Sequence, residues 1–155
     1  MKTTTRTSAS RSHLLEGKTE ERKIEHVRLC LNEDVGARGI TAGFERYRFR
    51  HNALPELNYD DITLNTSFLG RSLRTPLLIS SMTGGSAAAG EINARLAEAA
   101  QRRGWALGVG SVRAALERPE LEPTFRVRER APDVPVIANL GAVQLSYGFG
   151  AGDCR

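Results

Sequence analysis

The run Leu77-Leu78-Ile79-Ser80-Ser81-Met82-Thr83-Gly84-Gly85 decides the fold of this chain. Three apolar residues stop in small polar ones and a Gly pair. A helical pattern carrying Ile92, Leu96 and Ala100 begins a few positions on. That order predicts a buried strand, a tight turn and a helix. Backbone without bulk at the carboxyl end of a strand is where α/β proteins hold phosphates and flat cofactors.

The pattern recurs. Apolar runs occur at Pro76–Ile79, Trp105–Val109 and Val134–Ala138. From Leu77 to Leu107 is 30 positions and from Leu107 to Val136 is 29, close to the roughly 30 residues of a βαβ unit. A helix is expected over Ala87–Arg103 between the first two runs. A second is expected around Leu121–Arg130, after the breaker Pro119. Each run ends in small or polar residues: Ser80-Ser81, Gly108-Val109-Gly110-Ser111 and Asn139-Leu140-Gly141. Parallel strands with functional loops at their carboxyl ends follow, an α/β architecture. A (β/α)₈ TIM barrel takes about 250 residues. Here the repeat starts near residue 76 of 155, so about three β/α units fit. An open three-stranded parallel sheet leaves edges and one face uncovered. The sequence also ends on Gly150-Ala151-Gly152-Asp153-Cys154-Arg155, without a helix-closing pattern. The expectation is the N-terminal portion of a longer protein: residues 1–18 a disordered leader, 19–75 a helix and hairpin extension, 76–155 the first part of a barrel.

Composition agrees with an ordinary core, at 40% hydrophobic residues. No stretch approaches the roughly 18 uninterrupted apolar residues of a membrane span. Met1–Ser12 is polar and lacks the apolar core of a signal peptide, so a cytoplasmic location is expected. Cys30 and Cys154 form neither a disulfide framework nor a metal spacing and read as free thiols. The net charge is +4. Residues 1–28 hold seven cations (Lys2, Arg6, Arg11, Lys18, Arg22, Lys23, Arg28) against Glu16, Glu20, Glu21 and Glu25, leaving +3. Such an excess can serve an anionic ligand or nucleic acid; a solvated arm is the plainer account for residues 1–18.

Ahead of the repeat, a helix is expected from Thr19 to Leu31, with Ile24, Val27, Leu29 and Leu31 as its apolar positions and Gly36 and Gly39 ending it. Phe44-Glu45-Arg46-Tyr47-Arg48-Phe49-Arg50-His51 interleaves aromatic and basic residues. That can mean stacking on nucleic acid bases. It can also mean aromatics packed inward with arginines facing water, the reading preferred here. Ile62–Phe68, Gly70 and Leu73 resemble a small β-hairpin.

Four clusters could do chemistry. Arg22-Lys23 with His26 puts two adjacent cations and an imidazole on one helical face, suited to a diphosphate; a charged, exposed helix face explains the same pattern. Ser81-Met82-Thr83-Gly84-Gly85 could bond a ring edge or a phosphate, or be a strand–helix turn with a hydroxyl cap. In Gly108-Val109-Gly110-Ser111-Val112-Arg113, Ser111 and Arg113 could point into one mouth, Arg being a bidentate phosphate partner. The dinucleotide fingerprint G-x-G-x-x-G fails there, since its last Gly is Arg113. Asn139, ahead of Gly141 and Gln144, could read a ring's polar edge or simply form a turn. No Ser-His-Asp, Cys-His or metal-ligating constellation stands out, and Glu91, Glu98 and Glu117 read as helix-surface carboxylates.

Together these clusters resemble the type 2 isopentenyl-diphosphate isomerases. The matching elements are Arg22-Lys23-x-x-His26, Gly43-Phe44-Glu45-Arg46-Tyr47-Arg48-Phe49-Arg50-His51-Asn52-Ala53-Leu54-Pro55-Glu56, Leu78–Gly85, Gly108-Val109-Gly110-Ser111-x-Arg113 and Ile137-Ala138-Asn139-Leu140-Gly141. They run in the family's order from about residue 21 to 148; residues 1–20 carry no resemblance. The resemblance implies a flavin-dependent (β/α)₈ barrel that interconverts isopentenyl and dimethylallyl diphosphate in isoprenoid synthesis. FMN, Mg²⁺ and NADPH would serve it, the last to keep the flavin reduced. It implies that Arg22 and Lys23 bind the substrate diphosphate with His26 close by. Ser81, Met82 and Thr83 would line the flavin ring, Ser111 would contact FMN and substrate, Arg113 the diphosphate, and Asn139 the flavin. It implies a homo-oligomer in the full-length protein, with neither nucleic acid nor membrane as a partner. Moving a double bond by one position needs protonation at one carbon and proton loss from another, and an electron-rich reduced flavin could act as the acid–base group.

One departure is large. The family's His-x-Asn-x-x-Gln-Glu stretch, which supplies a Gln and the Mg²⁺-binding Glu, does not occur in these 155 residues. No catalytic or metal-binding residue is therefore assigned within the chain, and the 155 residues alone are expected to be inactive and to bind FMN poorly. Two other readings stay open: another FMN barrel, such as a relative of the 2-hydroxy-acid oxidases, and a basic nucleic-acid or protein-binding module built on Phe44–His51.

Overall fold

The computed structural model describes residues 9–150 and residue 152. Three short parallel strands form its sheet: β3 (Leu78–Ile79), β4 (Ala106–Ser111) and β5 (Val136–Asn139), in the order β3-β4-β5. Leu78 lies opposite Ala106 and Leu107 opposite Val136, while Ser111 reaches Asn139 across an irregularity in the register. All three strands expected from the apolar runs are present, but β3 is not the buried strand expected: Leu78 is exposed and Ile79 half-buried, because among the described residues no strand pairs with its outer edge. β4 is buried from Ala106 to Gly110, as a central parallel strand must be.

Helix α2 (Ala87–Arg103) connects β3 to β4. Ser86 caps it, its Oγ accepting from the Ala89 N–H at 3.3 Å. Gly104, left-handed at φ 68°, closes it. There Trp105 N–H donates to the Ala100 carbonyl and Gly104 N–H to that of Gln101, the paired bonds of a Schellman ending. Its inner face is made of small residues, Ala89, Asn93, Ala97 and Ala100. Ala97 and Ala100 meet Leu107, Val109, Val127, Ala131 and Val134 in the core. Small side chains there let helix and sheet approach closely.

The second connection differs from expectation. In place of a helix over Leu121–Arg130, a short helix α3 (Arg113–Glu117) is followed by a 3₁₀ segment, Pro119–Phe125. Pro123 lies inside that segment. Having no N–H, it cannot donate the bond an α-helix needs at that position.

Ahead of the sheet, β1 (Thr66–Phe68) and β2 (Arg71–Leu73) form the expected hairpin. Leu69 and Gly70 both have positive φ, 50° and 73°, as a two-residue turn matched to strand twist requires. The hairpin is tied near the amino ends of the sheet strands. Arg74 N–H donates to the Gly104 carbonyl, and an Arg71 guanidinium N–H to that of Asp133.

Helix α1 (Ala9–Asn32) begins ten residues before the expected start at Thr19, so residues 9–18, read as leader, belong to it. Residues 1–8 and Cys154 lie outside the described residues. Once a helix is nucleated each added residue gains a bond, and Leu14, Leu15, Glu16 and Lys18 are good helix formers. The helix ends at Asn32, before Gly36 and Gly39. Residues 44–51 also correct the reading above: Phe44 is 79% exposed, and Tyr47 and Phe49 are exposed as well. No described element covers this stretch, so its aromatics are not packed inward. Among the described residues no helix is long and apolar enough to cross a membrane.

Candidate functional site

The carboxyl ends of the three parallel strands stand side by side. β3 runs into the turn Ser80–Gly85, β4 ends at Ser111 and β5 at Asn139. Ser111 pairs with Asn139, and Val112 N–H donates to the Asn139 carbonyl at 2.8 Å. On the other side of β4, Gly110 N–H donates to the Thr83 carbonyl at 3.0 Å. Ser81, Met82 and Asn139 are exposed, Met82 at 70%, while Thr83 and Ser111 are half-buried. Three hydroxyls, a thioether and an amide thus gather at one end of the sheet, a donor and acceptor set suited to the edge of a ring.

Two glycines explain how the turn lies so close to β4. A Cβ on Gly108 would sit 2.6 Å from Ser81 Oγ, and one on Gly110 would sit 2.5 Å from the Thr83 carbonyl oxygen. The G-x-G of β4 thus makes room for the neighbouring turn, the use of glycine where backbones approach closely.

The turn is also held from behind. Asn93 of α2, 2% exposed, donates through Nδ2 to the carbonyls of Thr83 (3.1 Å) and Thr124 (3.0 Å). Thr124 Oγ1 accepts from Gly85 N–H at 2.9 Å and donates to the Leu121 carbonyl at 2.6 Å. Residue-type reading missed both. Asn93 does carry a signal, being the one polar residue on the stripe Ala89–Asn93–Ala97–Ala100. Thr124 carries none, because its segment reads as a helix.

Lys23 reaches this end from α1. Its Nζ donates to the Gly84 carbonyl at 2.5 Å and to the Ser111 carbonyl at 3.4 Å, and stands 5.1 Å from the centre of the Phe125 ring. That is within range of a cation–π contact. Burial, then the positive charges of Arg113 and Arg22, hold the Lys23 ammonium below the ordinary lysine range, with Glu117 acting in the opposite sense. Arg113, half-buried, pairs through Nε with Glu117 Oε1 at 3.1 Å. Arg22 and His26 are exposed on α1. Lys23, His26, Val27 and Cys30 form one wall of a cavity of about 560 Å³, opposite Ser80–Thr83, Ile92 and Leu96. Its volume is that of an ordinary small-molecule pocket.

The structure therefore brings Lys23, Ser81, Met82, Thr83, Ser111, Arg113 and Asn139 to one end of the sheet. Arg22 stands at its border through its field on Lys23, and His26 through the cavity wall. Among the described residues no group of three or more His, Cys, Asp or Glu could hold a metal ion.

A family model, FMN-dependent dehydrogenase, matches residues 16–120. The resemblance read from the motifs is borne out among curated proteins. The chain is 54% identical over 136 residues to the isopentenyl-diphosphate delta-isomerase of Nostoc sp., a match covering 88% of this chain and 39% of that protein. It is 56% identical over 133 residues to that of Synechococcus sp. (86% and 38%), and 53% over 135 residues to that of Rickettsia felis (87% and 39%). The chain thus spans about two fifths of the length of the curated relatives it matches. With its family model covering more than half of the residues, the chain belongs to the FMN-dependent dehydrogenase family.

Proposed function

We propose that this chain carries one wall of the active site of an isopentenyl-diphosphate delta-isomerase, with FMN as cofactor and a (β/α)₈ barrel as the complete architecture. One observation supports this above all: two half-buried cations, Lys23 and Arg113, converge beside the aligned strand ends that carry Ser81–Thr83, Ser111 and Asn139. An anion and a flat polar-edged ring would find partners there together.

The donor set fits FMN. Ser81, Thr83 and Ser111 offer hydroxyls, Asn139 an amide, and Met82 an exposed apolar surface for a ring. Reduced FMN, when bound, would supply an electron-rich ring able to exchange the proton that moves as the double bond shifts. The chain's own residues bind and orient. Lys23 spends two N–H groups on carbonyls and has a third for a phosphate oxygen. Arg113, paired through Nε with Glu117, would bring its guanidinium charge to the same diphosphate. His26, in the cavity wall, would add a hydrogen bond, and Arg22, whose charge is felt at Lys23, a further cation. Clamping the diphosphate fixes where the alkene lies, which converts a random encounter into a reactive pose. Among the described residues no group of three or more His, Cys, Asp or Glu fits Mg²⁺, so on this reading its ligands come from the rest of the complete protein. NADPH as reductant, a cytoplasmic setting and a homo-oligomeric complete protein belong to the same reading.

The test is product analysis with the complete reading frame and reduced FMN. Conversion of isopentenyl to dimethylallyl diphosphate is expected; oxidation of a 2-hydroxy acid in its place would point to another FMN-dependent enzyme and sink the assignment. The 155 residues alone should purify colourless and inactive, and a yellow, isomerising preparation would contradict that expectation. The exposed aromatics Phe44, Tyr47 and Phe49 among arginines favour one second reading, a nucleic-acid surface. It predicts a salt-sensitive gel shift with single-stranded RNA or DNA.

A further inference from the structure

We infer that Asn93 and Thr124 form a bracket that positions the Ser81–Gly85 turn, making both of them positioning residues for the candidate site. The turn has no regular strand pairing beyond Ile79 on the β3 side. What holds it, besides the Lys23 Nζ bond to the Gly84 carbonyl on its other side, is a short set of bonds. The Thr83 carbonyl accepts from Gly110 N–H and from Asn93 Nδ2, and Gly85 N–H donates to Thr124 Oγ1. Asn93 Nδ2 joins the two sides, because it also donates to the Thr124 carbonyl.

The chemistry of this arrangement is demanding. Both acceptors are carbonyls, so the residue at 93 must supply two donors from one side chain without charge. An amide does this and a carboxylate cannot. Asn93 is buried, so an unmatched group there would lose its water without a replacement. Thr124 is matched in the same way, its hydroxyl accepting from Gly85 and donating to Leu121. Neither bracket side chain bonds the side chains of Ser81, Met82 or Thr83. The bracket thus acts on the backbone and leaves those side chains free for a ligand. This rests on the flavin reading for what the turn contacts, and on hydrogen bonding alone for what holds it.

The test uses the protein encoded by the complete reading frame and residue-by-residue amide exchange. In Asn93→Asp at pH 7.5, an ionised carboxylate would face two carbonyls. Protection at Gly110 and Gly85 should fall about five- to tenfold, the weight of one or two lost bonds. Ala106 and Leu107, whose amides donate to Leu77 and Pro135, should keep theirs. At pH 5.5 the protonated acid regains one O–H donor, burial raising its pKa, and protection should partly return relative to Ala106. Unchanged protection at Gly85 and Gly110 would overturn the inference. So would a uniform, pH-independent fall at all four amides, which is the signature of a plain core residue. Should the variant not fold, Thr124→Val keeps the shape and the carbonyl but removes Oγ1. It should expose Gly85 while sparing Gly110, and equal protection at Gly85 in both proteins would refute the bracket. Failure of the flavin reading would appear only in cofactor titrations and leave this exchange pattern intact.

Discussion

Gly110 has no room for a side chain. A Cβ there would lie 2.5 Å from the Thr83 oxygen and 2.7 Å from its carbon and nitrogen, all of them backbone atoms unable to swing aside. Gly110→Ala should therefore cost about 1–3 kcal/mol of stability, the usual penalty of overpacking, read from the urea midpoint at constant slope. Lys23 makes a prediction of the opposite kind. Its folded pKa lies below the ordinary value of 10.5, first through burial and then through Arg113 and Arg22. Between the lowered value and 10.5 the unfolded chain holds more protons than the folded one, so this group makes stability rise with pH across that window. Lys23→Met should flatten that alkaline rise in urea unfolding; an identical pH profile in both proteins would show that Lys23 is not the source. The Lys23-x-x-His26 spacing was legible from the residues. The partners of Lys23 were not, because Gly84 and Ser111 offer backbone carbonyls, and a carbonyl has no residue type to read.

Among the elements, α2 was the most legible. Its span, Ala87–Arg103, is the one the apolar pattern predicts, although of Ile92, Leu96 and Ala100 only Ala100 is fully buried; Ser86 at the start and Gly104 at the end close it by local chemistry. Ser86→Ala removes the oxygen that accepts from Ala89 N–H and should lower stability by about 1 kcal/mol. Circular dichroism melts would show it, while Ser86→Asp should retain most of the stability. The segment after β4 was misread for a local reason as well. Pro119 reads as a breaker ahead of a helix over Leu121–Arg130, but Pro123 falls inside that span and interrupts it, leaving α3 and a 3₁₀ segment. That segment turns out to matter, because it delivers Thr124 and Phe125 to the site. Helix α1 was correctly expected at its site end, around Lys23 and His26, and placed too late at its start.

At the level of the molecule, the sheet has β4 in the middle, and among the described residues β3 and β5 are each bonded on one side. Leu77, Leu78 and Met82 on the β3 side are exposed. Unpaired edges and apolar surface of this kind favour association. The 155-residue chain should self-associate as concentration rises, by sedimentation velocity, and a monomer throughout the range would count against that. The same openness underlies the expectation of weak FMN binding. A cofactor site normally covers most of its ligand, and these strand ends cover one side.

Periodicity and spacing were enough to place three parallel strands, α2 between the first two, and the polar residues at their carboxyl ends. Those features follow from local rules, the period of burial and the chemistry of turns, which act over neighbouring residues. Three-dimensional packing alone revealed that Gly108 and Gly110 serve the turn of the adjacent strand, that Asn93 and Thr124 hold that turn from behind, and that Lys23 docks on two carbonyls beneath Phe125. Each is a contact between residues distant in the chain, set by which backbones come close enough to touch. The opening run Leu77–Gly85 announces its turn, but its position rests on partners up to 61 residues away, as between Lys23 and Gly84.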